Sequence, residues 1–149
     1  MTRSGIANEY GIANVPNELQ IENLIRIAWF LQTLKDDLCE RFHKNVNIYV
    51  SSGFRCLKLN SHPKMKGSKY SKHMDGLAAD IVCSDLRPYQ LATYIAKHMA
   101  DTGYDKLINE FGRWVHVNLA EEELRCLNMT ATKINGKTSY LPNILNVAR

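Results

Sequence analysis

The sequence predicts an α+β domain in which a small antiparallel sheet packs with two main helices. Three observations carry that expectation. Apolar residues recur at spacings of three and four over residues 21–42. Short β-branched runs alternate in polarity further along. Asn135-Gly136 separates two such runs near the end. The 149 residues suit one compact domain, 1–149, with a core large enough to need no disulfide framework.

Residues 1–16 contain Gly5, Gly11 and Pro16 and read as an N-terminal arm or irregular lead-in. Asn17 then opens a long amphipathic helix. Ile21, Leu24, Ile25, Ala28, Leu31, Leu34, Leu38 and Phe42 form its apolar stripe, and it should end near residues 43–45. Residues 46–50 alternate and read as a strand. Residues 56–72 are polar, with Pro63, Gly67 and several lysines and serines. They read as a long loop, and such loops are often functional. Residues 77–82 form a short strand. Pro88 sits in the first turn of a second helix over 87–102, closed by Gly103. Strands follow near 105–110 and 113–119. The tail is a hairpin turned at Asn135-Gly136, because that pair accepts the positive φ values of a type I′ turn.

Composition removes several function classes. The net charge is +4 and scattered, so it fits an anionic partner without a nucleic-acid stripe. No run of about 18 apolar residues exists to span a membrane. The N-terminus lacks the apolar core of a signal peptide, which predicts synthesis in the cytoplasm and delivery by other means. Cys39, Cys56, Cys83 and Cys126 form no C-x-x-C pair and read as reduced thiols.

Three segments carry chemistry: Ser52-Gly53-Phe54-Arg55, the stretch Ser71 to Asp80, and Trp114-Val115-His116-Val117. Alternation puts Val115, Val117 and Leu119 on the core face and leaves Trp114, His116 and Asn118 on the other. Asp80 lies in Leu-Ala-Ala-Asp-Ile-Val, where a buried carboxylate needs a cation or donors. His73 precedes it on a loop with Gly76 between. Each has an ordinary alternative: a satisfied strand histidine, or an aspartate that caps a turn or pairs with Arg55 or a lysine. Together, two histidines and one aspartate suit a single zinc ion and leave its fourth position open, as catalysis requires. Glu110, at a strand end, is the nearest candidate for the general base. Asp75 and Asp105 are weaker candidates. Arg55 can present its fork to a substrate carboxylate or a developing oxyanion. Ser71 can contact substrate or orient the loop. His43, His62 and His98 have no paired context.

The pattern Ser-x-His-x-x-Gly-x-Ala-x-Asp at Ser71 to Asp80, then Trp-x-His at Trp114 to His116, resembles the M15 family of zinc D-Ala-D-Ala carboxypeptidases and related peptidoglycan peptidases. Ser52 to Arg55, with Asn60 after it, adds to the likeness, which extends to Tyr140-Leu141-Pro142 and is greatest to small phage-type members. The resemblance implies the hedgehog/DD-peptidase fold, zinc on His73, Asp80 and His116, and substrate binding by Arg55. Many members carry the catalytic acid three residues before the last histidine, where this chain has Arg113. Glu110 is therefore the expected base by proximity, with Ser71 and Trp114 on the substrate. The expected partner is a peptidoglycan peptide cut by a monomeric phage lysis (endolysin) or tail-associated enzyme, with no nucleic acid or membrane partner. The alternative is a non-catalytic zinc-containing wall-binding or virion module of the same fold.

Overall fold

A computed structural model describes residues 1–121 and 124–147. Helix α1 (Gly5–Glu9) lies in the arm, and helix α2 (Glu18–Phe42) follows. Asn17 caps α2 through a reciprocal box. Its side chain accepts from the Gln20 N–H at 2.9 Å, and the Gln20 side chain accepts from the Asn17 N–H at 2.8 Å. The helix stops at His43, whose φ of 51° is left-handed. The buried stripe runs through Leu24, Ile27, Phe30, Leu31, Leu34 and Leu38. Ile21, Ile25, Ala28 and Phe42, expected inside, are exposed instead. Apolar residues occupy two faces of α2, and the sheet covers only the one centred on Leu31.

Strands β1 (Ile48–Ser52), β2 (Ala78–Cys83), β3 (Tyr104–Glu110), β4 (Trp114–Leu119), β5 (Leu127–Ile134) and β6 (Lys137–Pro142) form one sheet in the order β1-β2-β4-β3-β5-β6. The expected antiparallel sheet is in fact mixed, because β3 and β5 pair in parallel. After the tight β3–β4 hairpin, the chain passes β3 and adds on its far side, so β5 must run in the direction of β3. Two main helices also become four: α3 (Leu57–Asn60) interrupts the expected long loop, and α4 (Pro88–His98) is the second long one. The helix expected over 87–102 ends at His98, and a 3₁₀ turn covers Ala100–Thr102. Asn135 and Gly136 turn the β5–β6 hairpin at φ 51° and 77°.

The long helices cover one face of the sheet. Ile27, Leu34 and Leu38 of α2 and Leu91 and Ile95 of α4 share a core with Leu107, Val115 and Val117. The other face is left open. The arm is not irregular: Ala7 and Ile12 pack on Leu59. The Met1 carbonyl accepts from the Phe54 N–H, and the Asn14 side chain bonds Thr2, Phe54 and Cys56 backbone groups. Among the described residues no helix is long and apolar enough to cross a membrane. All four cysteines are free.

Candidate metal centre and cleft

The open face of the sheet is a cleft of about 520 Å³. Strand alternation builds its floor. Val115 and Val117 face the core, so Trp114, His116 and Asn118 face the cleft. Asp80 stands directly across from His116 in the β2–β4 register. The small residues Ala78 and Ala79, both fully buried, let the strands approach there. The third group arrives from the loop before β2. His73 is 1% exposed and is held by two backbone bonds to the segment after β1. Its carbonyl accepts from the Arg55 N–H at 3.1 Å, and its Nδ1 lies 2.7 Å from the Gly53 carbonyl.

That second contact fixes the chemistry of the ring. A carbonyl only accepts, so Nδ1 carries the proton and Nε2 presents a lone pair. Burial lowers the His73 pKa, which keeps the ring neutral. Nε2 is buried without a hydrogen-bond partner, yet stands 3.3 Å from an Asp80 carboxylate oxygen. Two acceptors thus face each other 3.3 Å apart. A cation between them satisfies both. His116 Nδ1 lies 2.8 Å from the same oxygen. One ligand atom from each of His73, Asp80 and His116 falls within 4.8 Å of the others, so the group fits a metal ion. Burial by itself raises the Asp80 pKa, but the site around it, above all the contact with His116 Nδ1, holds the carboxyl well below the usual range. The carboxylate is therefore charged and available.

The remaining predicted residues, Arg55, Ser71, Glu110 and Trp114, line the same cleft. Glu110 ends β3 opposite Trp114. Phe111 and Gly112 then turn the chain with φ of 55° and 62°. Burial raises the Glu110 pKa, while His116 and Arg55 pull it partly back. Burial also lowers that of Arg55, opposed by Asp80 and Glu110. The buried Arg55 Nε has no hydrogen-bond partner among the described residues and can donate to a ligand, while the Trp114 indole lies against the Glu110 carboxyl. Arg113 leaves β4 the other way. Three residues is an odd step in a period of two, so it faces away from His116 and lines a separate hollow with Arg87. Asp75 instead holds Lys72, and Asp105 holds Arg125. His43 caps α2, and His62 packs against Tyr10.

The cleft also takes in residues to which the sequence assigns no site role, among them Met65, Lys106, Met129 and Tyr140. Lys106 shares the alternation of Glu110 and was findable once that strand was placed. Met129 and Tyr140 reach the cleft only through the parallel β3–β5 pairing, which no local pattern announces.

No curated protein and no solved structure matches the chain. The sequence model of one family, described as peptidase M15, matches residues 1–118, from the arm through the strand that carries His116. The matched span holds every segment that builds the centre, and we conclude that the chain belongs to the peptidase M15 family and is a metallopeptidase.

Proposed function

We propose that the protein is a zinc-dependent peptidase that hydrolyses a peptide bond in peptidoglycan stem peptides or cross-links, as a monomeric phage lysis or tail-associated enzyme. The observation that carries this reading is the convergence of His73, Asp80 and His116 in a cleft that also holds the Glu110 carboxyl and the Arg55 guanidinium. Two nitrogen donors and one oxygen suit zinc better than calcium or magnesium, which favour all-oxygen sets. Zinc held by His73, Asp80 and His116 would supply Lewis acidity, to polarise a carbonyl and make water acidic enough to attack near neutral pH. Glu110 takes a proton from the attacking water and delivers it to the leaving amine. Arg55 binds a substrate carboxylate with its fork, and Ser71 and Trp114 hold the peptide against the floor.

Purified protein should release new amines from bacterial sacculi, read by mass spectrometry of the products. Glu110→Gln should cut the rate by at least about a hundredfold with metal content unchanged. If wild type and variant both hold metal and neither cleaves walls of any chemotype, the non-catalytic wall-binding module is the better reading.

The same variant has a stability signature in metal-free protein. A carboxyl whose folded pKa is raised binds protons more tightly when folded, so ionising it costs stability. The cost is absent below the ordinary glutamate value of about 4.3 and complete once pH exceeds the raised folded value. Glu110→Gln should therefore raise the melting temperature at pH 7 and lose that gain near pH 4. Equal melting temperatures at pH 7 would show that Glu110 is not desolvated.

A further inference from the structure

The centre does not lie at one end of the cleft. In the β3–β4 register Ile108 stands opposite His116, with Glu110 two residues to one side and Lys106 two residues to the other. Each step is about 6.6 Å along the strand. The Arg55 guanidinium lies within electrostatic reach of Glu110, Asp80 and His73, around the centre itself. Lys106 marks the end opposite Glu110, beside its cross-strand partner Asn118.

The charges at the two ends differ in commitment. Lys72, also on the cleft wall, is held by Asp75 and Glu121. Asp105, beside Lys106 in sequence, is held by Arg125 Nε at 2.6 Å and by the Asn118 amide at 3.1 Å. The Lys106 side chain sits at a half-buried position, near enough to Asp105 to interact with it electrostatically, and makes no hydrogen bond or salt bridge of its own among the described residues. A lysine ammonium at the edge of a cleft gains a charge-assisted hydrogen bond from a carboxylate supplied by a ligand. An extended peptide advances about 3.3 Å per residue. A carboxylate one or two residues from the scissile bond, on the side away from Glu110, falls within reach of the lysine stem.

We infer that Lys106 forms a second carboxylate subsite, so that the substrate is a peptide with a free carboxylate on the Lys106 side of the scissile bond. The inference rests on the peptidase reading of the cleft. Two carboxylates of a stem peptide have the required chemistry. One is the α-carboxylate of a γ-linked D-glutamate. The other is the side-chain carboxylate of meso-diaminopimelate, which lysine lacks.

Binding tests this without relying on turnover. Zinc-loaded protein carrying Glu110→Gln, with and without Lys106→Gln, is titrated calorimetrically with three stem pentapeptides. The first has free D-glutamate and diaminopimelate, the second has the glutamate α-carboxylate amidated, and the third has lysine in place of diaminopimelate. One of the two removals should weaken binding about tenfold, the equivalent of one charge-assisted hydrogen bond. The same removal should have no effect once Lys106 is glutamine. Which removal does so identifies the carboxylate. The inference is overturned if both proteins respond alike to each removal, or if none of the peptides binds. Cleavage of sacculi by protein with Glu110 intact separately decides the peptidase reading.

Discussion

His73→Ala should lose its metal and essentially all of its peptidase activity. The magnitude follows from what the imidazole does. A metal contributes several kcal/mol of charge stabilisation in the transition state, and each 1.36 kcal/mol is a factor of ten. Loss of the ion should thus lower the rate by at least about a thousandfold. His73 is also the ligand whose orientation is most completely determined. Its Nδ1–H is spent on the Gly53 carbonyl at 2.7 Å, so Nε2 has no alternative partner. Alanine leaves that buried carbonyl unpaired, at a cost of about 1–3 kcal/mol, so circular dichroism and a melt must accompany the assay. Asp80→Asn supplies the control. It keeps the size of the side chain and removes the anionic ligand. Both variants should fold and bind less than stoichiometric metal by elemental analysis. Stoichiometric metal with full activity in either one would refute the ligand assignment.

Gly76→Ala should be the most destabilising single-methyl change in the ligand loop. Gly76 has a φ of +73°, and an added Cβ would stand 2.5 Å from the Gln20 carbonyl oxygen. That oxygen belongs to the first turn of α2, which is fixed by its cap and cannot retreat. The left-handed conformation alone costs an L-residue about 1–2 kcal/mol, and the clash adds to it, for roughly 3 kcal/mol in all. A loss of that size lowers the melting temperature of a chain this long by about 6–12 °C. Gly103→Ala separates the two contributions. Gly103 has a φ of +93° but nothing within 4 Å of an added Cβ. Gly76→Ala should cost clearly more than Gly103→Ala. Equal costs would mean that α2 does not press on the loop.

That pressure explains why the loop geometry was only partly legible in the sequence. The Gln20 amide donates to the Met74 carbonyl at 2.8 Å, and the Asn23 amide donates to the Asp75 carbonyl at 2.9 Å. Both partners lie more than fifty positions away, so nothing local announces them. Local signals did well elsewhere. Asn17 and His43 bound α2 because caps act within one turn. Val115, Val117 and Leu119 define the core face of β4 because strand period is a local property. The buried stripe of α2 was displaced because Ile21, Ile25 and Ala28 make a second apolar face, and only the position of the sheet chooses between them. The parallel β3–β5 pair is a matter of chain routing, and with it came Tyr140 and Met129 at the cleft. His73, Asp80 and His116 were named from residue types and spacing, while the Gly53 carbonyl that orients His73 required coordinates.

The cleft is made of two different materials. Its floor is sheet, where Asp80, Glu110 and His116 are locked in register with their neighbours. Much of its wall is the segment from Met65 to Lys72, tied back by the Asn60 amide to the Ser68 carbonyl at 2.8 Å and closed over Asn60 by Gly67. Exchange of Tyr70, Ser71 or Lys66 on that wall leaves every pairing of the floor in place. The fold therefore gives selection two nearly separable dials, one for which peptide is admitted and one for how its bond is broken.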